Sequence, residues 1–324
     1  MISRNIAQQV LFSPIDIGAD KLCIISGYSS PNMVSWLLRT LYERKSKPIN
    51  IQLIVGMTSY DGINIVAHEG FKELHNNKLE SSYSNFQCSY VYDTTCPVHS
   101  NLYIWVKNDK PIIAYLGSAN FTQSSFLSNR EELLEICDPQ EALEYYKNIE
   151  TKTIFCNHSE VEEYVVLHNK NDLLDDDGQL KLSGEGVVKA TLPLLTRKGD
   201  VGTKSGLNWG QRNRRNRNQA YIPLPSKIAK QGFFPLEQRH FTAKTDDGII
   251  LVLRVEQQGN KAITTPLSNA QLGEYFRKRL GLSNGAYVTK QDLLSYGRTN
   301  VTFYKIDDEE FFMDFSPYNN IVNN

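Results

Sequence analysis

The sequence is poor in the residues that build disulfide scaffolds and metal knuckles. Its five cysteines, Cys23, Cys88, Cys96, Cys137 and Cys156, are odd in number, widely spaced and free of any C-x-x-C pair. That argues against a disulfide framework and against a zinc ribbon. No G-x-x-x-x-G-K-[ST] loop is present, so the chain supplies no ATPase of that type. No apolar run approaches the roughly 18 residues needed to cross a membrane. The start, MISRNIAQQVLF, lacks the charged and then long apolar pattern of a signal peptide. An excess of one charge is missing too: 35 Lys and Arg face 36 Asp and Glu, a net charge of −1. Any charged surface must therefore be local. No internal repeat of about 20 to 50 residues is visible. These absences lead us to expect a soluble, cytoplasmic protein in a reducing compartment, without metal or cofactor. Cys23 and Cys88, inside apolar strand patterns, are expected as small core residues.

What is present is an alternation. Residues 21–26 read as a buried strand ending in Gly27, and Met33, Leu37, Leu38 and Leu41 then mark one face of a helix. A strand at 51–55, a helix over 62–77 with Ile65, Val66, Phe71 and Leu74 at helical spacing, and a strand at 86–92 follow. Two strands, 102–106 and 112–116, make a hairpin. A strand at 132–136 and a helix opened by Pro139 close the series. This order predicts an α/β unit, a mixed sheet with flanking helices. Composition then turns polar and acidic from residue 168, and the boundary is placed near residue 175, giving domains over 1–175 and 176–324. The second half carries short β-rich runs at 187–192, 249–255, 301–306 and 311–315, interrupted by one amphipathic helix at 270–280. That pattern predicts a small, mainly-β pseudobarrel.

Chemistry concentrates in residues 97–132. His99, Ser100 and Asn101 precede the first hairpin strand, and Gly117, Ser118, Ala119 and Asn120 follow the second. A histidine facing a Gly-Ser-x-Asn turn has a hydroxyl, an amide and backbone N–H groups beside it, donors suited to phosphate oxygens. An imidazole is a competent nucleophile when a carboxylate orients its other nitrogen, and Glu131 is the candidate for that role. The bland alternative stays open: histidines before strands are often structural, and Gly-Ser-Ala-Asn is a common kind of turn.

His-x-x-Leu-Tyr followed by Gly-Ser-Ala-Asn-Phe-Thr resembles the phospholipase D superfamily signature, His-x-Lys followed by Gly-Ser-x-Asn. The resemblance implies that His99 attacks phosphorus to form a phosphohistidine without a metal, with Asn101, Ser118, Asn120 and Glu131 completing the site. One position departs from the pattern. Asn101 stands where the signature has lysine, keeping a donor but losing a charge whose removal commonly costs on the order of 10² to 10³ in rate. An inactive variant, a weakly active natural member, and rescue by Lys107 or Lys110 are the competing explanations. The signature's aspartate is also missing, which matches the nuclease branch better than the lipases.

Between residues 197 and 230, Arg197, Lys198, Lys204, Arg212, Arg214, Arg215, Arg217, Lys227 and Lys230 face only Asp200. Interleaved are Asn208, Trp209 and Gln211. Arg can bond guanine in bidentate fashion, Asn and Gln can bond adenine, and phosphates attract the whole stretch. A solvated basic loop is the plainer reading. The helix at 270–280 adds Arg277 and Arg279 as residues able to reach phosphates, with its apolar side toward the core. GLNWGQR, AYIPLP, GFFP, LGEYFRKRLGL and YGRTNVTFYKID are similar to the C-terminal domain of NgoFVII-type Type II restriction endonucleases. That family joins a phospholipase-D-fold nuclease to a DNA-reading pseudobarrel of the plant B-three transcription-factor type.

The resemblance implies two arms gripping the major groove: a first within 197–219, and a second assigned to 257–269 because Asn260 and Lys261 sit in a turn beside it. With one signature motif per chain, it implies a homodimer sharing one centre. Prokaryotic relatives can also depend on a separate ATPase subunit. The function expected is a sequence-specific, metal-independent DNA endonuclease. The rival is a sequence-specific DNA-binding protein whose centre is dead. A lipid enzyme is disfavoured by the lack of any membrane-docking segment.

Overall fold

The computed structural model describes residues 1–76, 82–95, 97–128, 132–168 and 188–318. The chain divides into two compact units, Met1–Lys170 and Asn171–Asn324. The expected boundary near residue 175 lies outside the described residues, as do Cys96 and Glu131.

The first unit is a seven-stranded mixed sheet. Its strands are β1 (Lys21–Ser26), β2 (Asn50–Val55), β4 (Asn85–Val91), β5 (Asn101–Lys107), β6 (Lys110–Gly117), β7 (Leu134–Cys137) and β8 (Thr153–Phe155), in the order β7-β6-β5-β1-β2-β4-β8. A separate parallel pair joins β3 (Ile63–Asn64) to β9 (Leu167–His168). β1, β2 and β4 run parallel, with the helices Pro31–Glu43 and Ile65–Asn76 in their crossovers. The remaining neighbours are antiparallel. β5 and β6 turn through Asn108 and Asp109, at φ 50° and 60°, the two left-handed residues that a tight hairpin with native twist requires.

Local signals set the helix starts. The Ser30 side chain caps the Met33 N–H at 3.3 Å with Pro31 in the first turn, and Asp138 accepts from the N–H groups of Gln140 and Glu141, both at 2.9 Å. Helix Pro139–Glu150 buries Ala142, Tyr146 and Ile149 against Cys23, Ile25, Leu102 and Ile104. On the expected hairpin, Trp105 is fully buried and its indole N–H donates to the Val10 carbonyl at 2.7 Å. That bond fastens a helical stretch, Ala7–Asp16, which the polar opening of the sequence did not announce.

The second unit is one curled sheet of β10 (Lys189–Pro193), β11 (Ile222–Pro223), β12 (His240–Thr245), β13 (Ile250–Glu256), β14 (Ala262–Thr264), β15 (Asn300–Lys305) and β16 (Glu310–Asp314). Their order is β10-β15-β16-β12-β13-β14-β11, and the edge strands β10 and β11 approach each other. The result is a nearly closed barrel. Among the described residues of this unit only β12 and β16 pair in parallel. Its interior is aromatic: Phe234 lies 5.3 Å from Phe241, 5.1 Å from Phe303 and 5.3 Å from Phe311 between ring centroids. The expected helix is Asn269–Arg279. It is not alone, since Lys290–Tyr296 forms behind a Thr289–Asp292 capping box.

Candidate functional site

Three neighbouring strand ends converge: the last residue of β1, the first of β5 and the last of β6. His99 enters β5 from an exposed position. Asn101 is 2% exposed, and its amide is saturated. Its Oδ1 accepts from Ser26 Oγ at 3.0 Å and Gly27 N at 3.2 Å, while Nδ2 donates to the carbonyls of Ser118 at 3.1 Å and Gly117 at 3.4 Å. The residue in the motif-lysine position therefore ties the loop after β1 to the end of β6. Ser26 Oγ accepts from Phe121 N at 2.9 Å, and Asn120 Oδ1 accepts from Tyr28 N at 3.0 Å. Gly27 passes so close that an added Cβ would lie 3.3 Å from His99 Cα and 3.5 Å from Asn120 Oδ1. His99, Asn101, Ser118 and Asn120 thus belong to one cluster.

A carboxylate completes it, and it belongs to Glu132. Its Oε2 accepts from Ser118 Oγ at 2.6 Å and its Oε1 from Ser125 Oγ at 3.0 Å; Ser118 Oγ in turn accepts from Leu133 N at 3.0 Å. The sequence offers two adjacent glutamates with nothing local to choose between them, and Glu131 is not among the described residues. Among those residues no hydrogen bond reaches the His99 ring. Its neighbour is Tyr28, edge-on at 5.6 Å between centroids and 80° between planes. Tyr28 donates its phenol to Asp61 Oδ2 at 2.5 Å, a bond that raises the phenol above its ordinary pKa. Lys107 does not rescue the missing charge, because its Nζ donates to the Ile17 carbonyl at 2.8 Å at the far end of the hairpin. Chemically, the cluster presents an accessible imidazole beside a carboxylate-bound hydroxyl and an asparagine whose oxygen is already occupied, which leaves its Nδ2 to donate. Among the described residues no three His, Cys, Asp or Glu side chains are placed to hold a metal, and no helix is long and apolar enough to cross a membrane.

In the barrel unit the basic stretch splits by burial. Arg212, Arg214, Arg215 and Arg217 are exposed. Arg215 stacks its guanidinium 4.2 Å from the centre of the half-buried Trp209 ring and bonds Gln219 Oε1 at 2.9 Å. Arg212 Nε donates to the Lys204 carbonyl at 2.8 Å, and Arg217 to Gln211 Oε1 at 2.7 Å. The loop is buttressed on the helix. Asn218 bonds Glu274 at 3.1 Å, and a Cβ on Gly273 would sit 1.7 Å from the Asn218 carbonyl.

Three expected DNA contacts are turned inward. Asn208 is fully buried and exchanges two hydrogen bonds with the Val288 backbone, at 2.7 and 2.9 Å. Arg277 is fully buried and donates to the carbonyls of Ala286, Gly273 and Leu207 at 2.8, 3.1 and 3.2 Å; burial lowers its guanidinium pKa. Arg279 pairs with Asp246 at 2.6 Å and Asp247 at 3.0 Å, and bonds the Tyr275 and Tyr296 hydroxyls. Asn208 and Arg277 are buried away from solvent, and Arg279 is held by two carboxylates and two phenols, so these bonds of all three serve the fold. Asn260 and Lys261 lie at the surface in the turn after β13; the rest of the proposed second arm includes buried β14.

The NgoFVII restriction endonuclease N-terminal PLD domain matches residues 4–163, and the NgoFVII C-terminal B3-like DNA-binding domain matches residues 182–307. Among solved structures the chain is similar to NucT from Helicobacter pylori, at 22% identity over 46% of this chain and 90% of that one, with a TM-score of 0.31. It is similar also to the polyphosphate kinase of Porphyromonas gingivalis, at 15% identity over 49% of this chain and 25% of that one, TM-score 0.31. A hypothetical Arabidopsis thaliana protein is 14% identical over 42% of this chain and 98% of that one, TM-score 0.22. No curated protein matches the chain. A phospholipase D-type unit followed by a B3-like barrel, each matched in order along one sequence, places the chain in the NgoFVII restriction endonuclease family.

Proposed function

We propose that the protein is a sequence-specific, Type II-like endonuclease that hydrolyses duplex DNA through a phosphohistidine at His99. The observation that carries the reading is the exposed His99 imidazole in one cluster with Ser118, Asn120 and the Glu132 carboxylate. A His99 ring nitrogen attacks phosphorus, the bond to the 3′ oxygen breaks, and that oxygen takes a proton; water then cleaves the phosphohistidine. A second copy's histidine supplies the proton, so the active species is a homodimer through the first unit. The Asn120 amide donates to the phosphate oxygens, while Ser118, whose one proton goes to Glu132, fixes the end of β6 beside it. The exposed arginines of 212–217, with Asn260 and Lys261, hold the DNA, and some of them read bases.

The test is incubation with unmethylated plasmid in EDTA. Discrete fragments that vanish in His99→Ala support the reading, and a cleavage-competent monomer in sedimentation overturns the shared centre. A requirement for added ATP and a second protein would identify an ATPase partner.

A second reading, a DNA-binding protein with a silent centre, draws on the burial of Asn101. An amide with all its bonds inside the fold brings no charge to a phosphate. A mobility shift without cutting by the natural chain, and cutting by Asn101→Lys, would favour it. Failure of both chains to cut, even with an ATPase supplied, removes the catalytic role from His99.

A further inference from the structure

The site as built leaves one mechanical question: what orients His99? A nucleophile must be held within a near-attack geometry, and misplacement by about 1 Å can cost on the order of a hundredfold in rate. Yet His99 lies in an exposed segment ahead of β5, and among the described residues its ring has no hydrogen bond. The Glu132 carboxylate accepts from the hydroxyls of Ser118 and Ser125, and Glu131, the carboxylate expected to orient the imidazole, lies outside the described residues.

We infer that Tyr28, braced by Asp61, is the residue that sets the orientation of the His99 imidazole. The inference rests on the reading of His99 as the nucleophile. The Tyr28 ring meets the imidazole edge-on, 5.6 Å between centroids at 80°, one of the favoured arrangements of two aromatic rings. Tyr28 is itself fixed at three points. Its N–H donates to Asn120 Oδ1 at 3.0 Å, its carbonyl lies 2.7 Å from Ser26 Oγ, whose one proton is shared between it and Asn101 Oδ1, and its phenol donates to Asp61 Oδ2 at 2.5 Å.

Asp61 is a firm anchor. It ends the short helical turn Thr58–Asp61, its N–H bonds the Met57 carbonyl at 2.9 Å, and its own carbonyl accepts from His168 Nε2 at 3.1 Å. Thr58 at the head of that turn donates to the Val91 carbonyl at 2.8 Å, which roots the turn in β4. The line His99–Tyr28–Asp61–scaffold is thus continuous. A purely packing role does not account for Tyr28, since its ring is 43% exposed. Such exposure gives little burial energy, whereas a wall beside a reactive group needs to be only one-sided.

The experiment uses the full-length protein and the chromogenic diester bis(p-nitrophenyl) phosphate, which needs no recognition sequence, together with NMR of the His99 ring. Tyr28→Ala is expected to lower kcat about tenfold to a hundredfold with KM within about twofold, and to broaden or split the His99 ring signals. Tyr28→Phe keeps the wall and loses the brace, so about a threefold loss is expected. Asp61→Ala should match Tyr28→Phe, the double variant should be no worse than either, and Asp61→Asn, which retains an acceptor, should restore activity. Should Tyr28→Ala fail to fold by circular dichroism, the Phe and Asp61 variants carry the comparison. Unchanged kcat together with unchanged His99 signals in the folded variants overturns the inference. An unmodified protein that does not hydrolyse the diester counts against the phosphodiesterase reading instead, and the NMR signals still decide whether Tyr28 holds the ring.

Discussion

Two sets of arginines in the barrel unit look alike in sequence and have opposite fates. Arg277 and Arg279 follow Tyr275 and Phe276 on a helix; Arg212, Arg214, Arg215 and Arg217 follow Trp209 in a loop. The first two are folded inside, and the others are exposed. The difference is set by what the guanidinium meets. Arg277 sits where the carbonyls of Gly273, Leu207 and Ala286 meet, and the forked guanidinium satisfies all three. Arg212, Arg215 and Arg217 each donate to one acceptor among the described residues, which leaves donors for solvent or a ligand. Donor accounting, rather than a count of charges, separates an arginine that builds the fold from one that is available to DNA.

The largest expected effect is at Arg277. Arg277→Met removes the partner of three carbonyls in a buried junction, at about 1 to 3 kcal/mol for each one left unsatisfied, so a loss of about 3 kcal/mol or more is expected in denaturant unfolding. Arg277→Lys should recover little, since an ammonium on a flexible stem lacks the fork's reach. If Arg277→Met keeps its unfolding midpoint and loses only DNA affinity, the contrast between the two arginine sets is broken.

The same distinction explains what was legible. The hairpin could be read because its alternation and the Asn108–Asp109 turn are local, and the His99 and Gly-Ser-Ala-Asn pair because the motif is short and contiguous. The burial of Asn101 could not, because it is made by Ser26 and Gly27, about three-quarters of a hundred positions away in the chain. Nor could the place of Glu132 in the cluster, which depends on where Ser118 and Ser125 are brought together; Glu131 lies outside the described residues. β12 and β14 lie outside the β-rich runs read from the sequence, and pairing with distant strands of the barrel buries them. Helix Lys290–Tyr296 has a local signal in its Thr289–Asp292 cap, although a single helix is expected in this half.

In the exposed set the effect should appear in binding and not in folding. Arg214→Ala and Arg217→Ala are expected to leave stability within about 0.5 kcal/mol. If either side chain holds a phosphate, affinity falls for all sequences together and the salt slope drops by about one unit; if it reads a base, discrimination at one position falls by about 1 to 3 kcal/mol. Fluorescence anisotropy across a salt series, with specific and scrambled duplexes, separates the two. A variant that binds normally but melts early would return that arginine to the structural set.

The smallest effect extends the contrast to histidines of the first unit. His99 is exposed, whereas His68 is fully buried, with Nδ1 3.2 Å from the Tyr90 hydroxyl and Nε2 without a hydrogen-bond partner among the described residues. Burial is the main cause that lowers the His68 pKa below its ordinary 6.5, against a weaker pull upward from Glu69. The unfolded chain therefore takes up a proton at a higher pH than the folded one does. Its contribution to stability is full above about pH 6.5 and is lost as pH falls through the lower folded value. Unfolding free energy should decline with acidification in that window, and His68→Gln should flatten the decline. An unchanged slope in His68→Gln would show that burial of this imidazole does not set the acid side of the stability curve.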